Sequence, residues 1–109
     1  MTGERTRALE AMLERGQESA LLRYSLGNEY AKADAPGPAV QHLRRAVELD
    51  RNYSAAWKLL GRSLADLGRH EEAIEAYRQG IEIASGKGDR QAAKEMTVFL
   101  KRLLRNRPE

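Results

Sequence analysis

The sequence has no cysteine, two histidines and few aromatic residues: one tryptophan, four tyrosines and one phenylalanine. The absence of cysteine excludes a disulfide framework, a thiolate nucleophile and a zinc–thiolate site. No continuous apolar run is long enough for a signal peptide or a membrane span, so we expect a soluble, cytoplasmic protein with no membrane partner. Alternating strand-like patterns of valine, isoleucine and threonine are also missing, and this favours an all-α fold.

Neither histidine lies in a known catalytic or metal-binding motif. The sequence contains no H-E-x-x-H, G-x-S-x-G or paired-cysteine spacing. His70 stands in a turn before a helix, and we interpret it as a capping or solvated residue. His42 lies on a helix without a ligand set, and we interpret it as a partly buried or surface residue. The segment SGKGD at 85–89 lacks the full phosphate-loop pattern and follows no strand, so we expect no enzymatic activity, no cofactor and no metal site.

The net charge of +3 is unevenly distributed. It arises from 19 basic and 16 acidic residues, and the basic excess lies in the last segment, from residue 87 onward. We interpret this segment first as a solvated helix face. Contact with an acidic partner is the alternative.

Helical periodicity covers most of the 109 residues and is interrupted by glycine, proline and short polar turns. The chain is long enough for one small domain with a continuous core. Asp89 is expected to cap the last helix. The breaks predict six helices: 4–15, 18–33, 37–49, 54–67, 71–84 and 89–105.

A shift of 34 residues aligns the middle of the chain with itself. Gly27 then coincides with Gly61, and Ala39 with Ala73. A glycine inside a helix costs roughly 1 kcal/mol against alanine, so its recurrence needs a packing reason. We expect the paired helices to approach closely, with Gly27 near Ala39 and Gly61 near Ala73.

The two aligned units resemble tetratricopeptide repeats. The second unit, 54–87, carries the signature residues Trp57, Leu60, Gly61, Leu64, Ala73, Tyr77 and Gly80. The first unit, 20–53, keeps Leu26, Gly27, Tyr30, Ala39, Leu43 and Ala46. It departs from the family pattern at Arg23, which replaces the tryptophan, and the closing proline is absent from both units. Glu95 occupies the glycine place of what would be a third unit.

The resemblance implies an all-α, right-handed solenoid of antiparallel helix pairs that forms one domain over residues 1–109. We expect helix 4–15 to be the second half of a truncated repeat, 20–53 and 54–87 to be full repeats, and 88–106 to be a capping helix. The apolar stripe of that last helix should cover the open end of the stack, because each unit of a solenoid buries its face only against its neighbours. Five residues form this stripe: Ala92, Met96, Phe99, Leu100 and Leu103.

The resemblance also implies that the first helix of each pair lines a groove that holds extended peptides. The residues expected there are Tyr24, Asn28, Lys32, Lys58 and Arg62. Asn28 would hydrogen-bond the peptide backbone, whereas Lys58 and Arg62 would bind a carboxylate. In the alternative interpretation, these two cations pair with Asp66 and Glu29 on a solvated surface.

The function expected from this pattern is a non-catalytic interaction module for a peptide or protein, with an acidic or carboxylate-ending ligand. Two alternatives stay open. One is binding of nucleic acid or an acidic partner through the basic last helix; few aromatic residues accompany its basic residues, which disfavours nucleic acid. The other is a structural role with weak self-association.

Overall fold

The computed structural model describes residues 3–107, and this range folds into six α-helices without a β-strand. The predicted helices are confirmed, and every end lies within two residues of its predicted position. The helices are α1 (Glu4–Glu14), α2 (Ala20–Lys32), α3 (Pro36–Leu49), α4 (Ser54–Asp66), α5 (His70–Gly86) and α6 (Arg90–Arg105). None of them combines the length and the apolar character that a membrane crossing requires.

Local sequence explains where several helices begin and end. The Ser19 hydroxyl accepts a hydrogen bond from the Leu22 N–H at 3.0 Å and caps α2. Asp89 caps α6 in the same way, through the Ala92 N–H at 3.2 Å. Gly68 follows α4 with a φ of 77°, a left-handed conformation that glycine adopts without strain.

The helices form an all-α, right-handed solenoid of antiparallel pairs, as predicted. Each helix from α2 to α5 packs on the next one along the chain, while α2 and α6 both contact α4. Helices α2, α4 and α6 therefore lie side by side along one face. The core runs through the stack, and its largest fully buried apolar side chains are Leu26, Leu43, Leu60, Leu64 and Met96.

The repeated glycines permit close helix packing, and each of them faces a large side chain of the paired helix. The proximity of Gly61 to Ala73, and of Gly27 to the equivalent Ala39, stays a prediction. A Cβ atom on Gly61 would lie 2.6 Å from the Cε1 atom of Tyr77. A Cβ atom on Gly27 would lie 2.5 Å from the Leu43 side chain. Each glycine thus makes room for the large side chain four residues beyond the alanine.

Helix α6 packs its apolar stripe on α5. Ala92 and Met96 are buried, and a Cβ atom on Gly80 of α5 would lie 2.5 Å from the Met96 sulfur. Phe99 of the same stripe is half-buried, with its ring centroid 5.9 Å from that of Tyr77. The contact of α6 with α5 therefore repeats the glycine-to-large-residue packing that joins α4 to α5.

Candidate functional site

A groove runs along the face formed by α2, α4 and α6 and encloses a cavity of about 200 Å³. Its lining residues are Tyr24, Asn28, Ala55, Lys58, Leu59, Arg62, Glu95 and Phe99. Four of the five residues expected from the sequence thus come together here. The fifth, Lys32, lies in a smaller neighbouring depression, and its ammonium group is 3.2 Å from Glu29.

Tyr24 forms an apolar wall at one end of the groove. It is half-buried, and its ring centroid lies 4.9 Å from that of Tyr53 at an interplanar angle of 33°. Tilted packing at this distance is favourable for two aromatic rings. The contact holds the Tyr24 ring in position beside Asn28, one helical turn further along α2.

Lys58 is paired with a residue of α6 inside the groove. Its Nζ atom lies 2.7 Å from the Oε1 atom of Glu95, whose other carboxylate oxygen accepts a hydrogen bond from Gln91 at 3.1 Å. Hydrogen bonds from Lys58 and Gln91, together with the charge of Lys58, hold the pKa of Glu95 below its ordinary value. The positive charge of Lys58 is therefore compensated within the chain.

The pairing of Lys58 corrects the solvated-surface interpretation. Among residues 3–107, neither Lys58 nor Arg62 is within ion-pair distance of Asp66 or Glu29. Glu29 pairs instead with Arg5 and Lys32. The partner of Lys58 was missed although Glu95 stands at the glycine place of the repeat, where a charged side chain is out of pattern.

Arg62 is the cation that remains available. It is exposed, and within residues 3–107 it has no ion-pair or hydrogen-bond partner. It also lies between the groove and a larger cavity of about 480 Å³ next to it. We call this the end cavity; it is lined by Arg62, Ala65, Asp66, His70, Tyr77, Phe99, Arg102, Leu103 and Asn106.

The end cavity combines aromatic walls with two cations. Burial raises the pKa of Tyr77 to about 12, so the phenol stays neutral at physiological pH. The guanidinium of Arg102 lies 5.9 Å from the Phe99 ring centroid, a cation–π distance. His70, expected to be a turn residue, is the first residue of α5 and lines this cavity, where its Nδ1 atom is buried without a hydrogen-bond partner among the described residues.

His42 belongs to a polar cluster at the other end of the stack. Its Nε2 atom lies 3.4 Å from the Glu10 carboxylate, its Nδ1 atom is 3.1 Å from the Arg23 guanidinium, and its ring stacks on Tyr30. Burial is the main cause that lowers the pKa of His42. The cluster connects α1, α2 and α3, and within residues 3–107 no group of histidine and carboxylate side chains is arranged to hold a metal ion.

Comparison with known proteins identifies the repeat. The family model described as "Tetratricopeptide repeat" matches residues 54–86, which is the second unit of the internal alignment. The "TPR repeat-containing protein PA0015" of Pseudomonas aeruginosa is 48% identical over 99 residues, which cover 91% of this chain and 94% of that protein.

Solved structures resemble this chain over nearly its whole length. The solution structure of protein BPP2914 from Bordetella parapertussis is 43% identical, has a TM-score of 0.81, and the match covers 96% of this chain and 90% of that one. YrrB, described as a TPR protein with an unusual peptide-binding site, is 27% identical with a TM-score of 0.69, and the match covers 94% of this chain and 60% of that one.

Proposed function

Because the chain belongs to the tetratricopeptide repeat family, we propose that it is a non-catalytic module that binds a peptide in the groove between α2, α4 and α6. The observation that carries this proposal is the meeting of Tyr24, Asn28 and Arg62 in that groove. A peptide-binding site is also described for YrrB, whose structure is similar. The division into a half-repeat at 4–15, repeats at 20–53 and 54–87, and a cap at 88–106 is part of the same proposal.

The ligand is an extended segment with a carboxylate, either at its C-terminus or on an acidic side chain. Arg62 binds this carboxylate, because a guanidinium donates two parallel hydrogen bonds to it. The Asn28 amide both donates to and accepts from the peptide backbone. Tyr24 contacts an apolar side chain of the ligand.

Lys58 has a smaller role than the sequence suggested. A ligand carboxylate gains the full attraction of Lys58 only if it displaces Glu95, which already lies 2.7 Å away. This exchange replaces one ion pair by another, so its net free energy is small. Arg62, which has no such partner within residues 3–107, therefore contributes more to affinity than Lys58.

The end cavity determines which side chain accompanies the carboxylate. Tyr77, Phe99 and Leu103 form apolar walls beside Arg62. An aliphatic or aromatic residue next to the carboxylate fills this cavity while the carboxylate binds Arg62. The preferred ligand therefore combines a large apolar residue with a neighbouring negative charge.

Fluorescence anisotropy with a labelled short peptide that ends in leucine and glutamate tests this function. Because the groove offers a small contact area and the peptide loses conformational freedom on binding, we expect a Kd of roughly micromolar magnitude. Arg62→Ala should weaken binding about tenfold, and Lys58→Ala should weaken it less. The Lys58→Glu, Arg62→Glu double variant should abolish it.

Two further variants make the test specific. Glu95→Gln frees Lys58 and should tighten binding of the acidic peptide by about threefold. Arg78→Ala, an exposed change on α5 outside the groove, is the matched control and should leave the Kd unchanged. Undiminished binding by the reversed-charge double variant would place the site elsewhere. Thermal melts establish that each variant is folded, because exposed charges contribute little to stability.

A further inference from the structure

The outer face of α6 carries a row of cations that the groove does not use. Arg90, Lys94, Lys101 and Arg105 recur at helical spacing and fall on one side of the helix. We call these four residues the basic stripe. It is about 22 Å long at 1.5 Å per residue. All four are exposed, and Val98, which is 49% exposed, lies at the centre of the stripe.

The positive charge of the basic stripe is not compensated within the described chain. Between residues 3 and 107, no carboxylate lies within ion-pair distance of any of its four cations. Several exposed cations elsewhere pair with an acid three residues away: Lys32 with Glu29, Arg45 with Glu48 and Arg69 with Glu72. The one acidic residue of α6, Glu95, is turned into the groove towards Lys58.

Helix stability does not explain the basic stripe. Arg90 lies in the first turn of α6, where the helix dipole disfavours a positive charge. Arg90 and Lys94 are four residues apart, as are Lys101 and Arg105, and like charges at this spacing destabilise a helix. Only Arg105, in the last turn, has the sign that the dipole favours. The stripe therefore has a cost to the isolated helix that a bound partner would offset.

We propose that the basic stripe binds an acidic amphipathic helix of a partner protein. Carboxylates at matching helical spacing pair with the four cations, and an apolar residue between them covers Val98. The exposed apolar centre favours a protein partner over nucleic acid. Base stacking needs an exposed aromatic ring, whereas Phe99, the one aromatic residue of α6, packs on Tyr77.

The basic stripe and the groove are separate surfaces. Glu95 and Phe99, which line the groove, follow Lys94 and Val98 by one residue each, so the helical rotation turns them about 100° away from the stripe. Both surfaces are therefore accessible at the same time. Loss of binding at one surface therefore does not imply loss at the other, and each surface can be tested by its own experiment.

The probe is a labelled synthetic helical peptide with four glutamates at the spacing of the basic stripe and a leucine at its centre. The same peptide with glutamine in place of glutamate is the ligand control. Lys94→Glu with Lys101→Glu should weaken binding at least about tenfold by fluorescence anisotropy. Val98→Ser should weaken it about threefold, because the apolar contact is lost.

Two protein controls separate the stripe from net charge and from the groove. Arg15→Glu, just after α1, with Arg78→Glu on α5 makes the same change of charge away from the stripe and should alter the Kd less than twofold. Arg62→Ala should also leave it unchanged. Amide chemical-shift changes on peptide addition should cluster at Arg90–Arg105 on the stripe side.

Three results would overturn the proposal. One is an equal loss of affinity in both charge-reversed double variants, which would show that affinity depends on net charge and not on the position of the cations. Another is tighter binding of a short duplex DNA than of the acidic peptide at the same salt concentration. The third is a set of shift changes confined to the groove around Tyr24 and Asn28.

Discussion

Gly61→Ala is the most direct test of how the repeat is packed. Within a helix the change should gain up to about 1 kcal/mol of intrinsic propensity. The new Cβ atom, however, would lie 2.6–2.8 Å from three ring carbons of Tyr77, closer than van der Waals contact permits. Tyr77 is 3% exposed and packs on Phe99, so a shift of its ring would disturb that contact. Overpacking of this kind costs about 1–3 kcal/mol, and the net result should be a loss of up to about 2 kcal/mol.

Gly86→Ala provides the matched control. Gly86 is the last residue of α5, and a Cβ atom there would meet nothing within 4 Å. The same substitution should therefore raise the free energy of unfolding, by less than about 1 kcal/mol at this terminal position. Urea denaturation followed by the fluorescence of Trp57, the one tryptophan, measures both variants. A change of 1 kcal/mol corresponds to a shift in Tm of about 4–8 °C.

The Gly61→Ala substitution in a Tyr77→Ala background tests whether the Tyr77 ring causes the loss of stability. When Tyr77→Ala has removed the aromatic ring, Gly61→Ala should no longer destabilise the protein and should show the ordinary gain of propensity. The difference between the two backgrounds is the coupling free energy of the pair. The reasoning would be refuted if Gly61→Ala stabilised the wild-type chain as much as Gly86→Ala does.

Three further predictions concern other parts of the chain. Removal of residues 88–109 exposes the face of α5 that α6 covers and should produce aggregation or loss of cooperative unfolding, measured by light scattering and thermal melts. Burial lowers the pKa of His42 below its ordinary 6.5 even though Glu10 opposes the shift. The imidazole therefore binds a proton more tightly in the unfolded chain than in the folded chain. The contribution of neutral His42 to stability is complete above about pH 6.5 and is lost as the pH falls through the lowered pKa. His42→Asn should flatten the pH dependence of the free energy of unfolding, measured by urea titrations between about pH 5 and 7. Trp57→Phe removes the 2.8 Å hydrogen bond from the indole N–H to the Arg51 carbonyl and should lower the free energy of unfolding by about 1–3 kcal/mol in denaturation followed by circular dichroism.

The helices and their order could be predicted because their signals are local. Gly68 and Asp89 mark a helix end and a helix start by backbone preference and capping chemistry, which do not depend on distant residues. The internal repeat also predicted which helices pack together, because two units with the same spacing of residues pack in the same way. It identified the glycines at which the helices pack closely, but an alignment shows equivalent positions and not which atoms lie nearest across the interface.

The candidate site could be predicted only as a set of residues on one face. Tyr24, Asn28 and Arg62 follow from the resemblance, which places the first helix of each pair along the groove, together with helical spacing within α2 and α4. The partner of Lys58 depends on how α6 is placed against α4, which spacing within a single helix does not determine. Glu95 at the glycine place was the available signal, but whether its side chain would point into the groove or to solvent required the packed structure.

The packing of each helix mainly on its neighbours along the chain has a kinetic consequence. Contacts that are close in sequence are formed with little loss of chain entropy, so this protein should fold rapidly for its length. Opening should begin at the ends, because α1 packs closely on α2 and otherwise reaches α3 through the Glu10–His42 contact, whereas α4 contacts four other helices. Amide hydrogens should accordingly exchange fastest in α1 and slowest in α4 and α5. Proteolytic cleavage in the turn between α1 and α2 should leave the central helices folded.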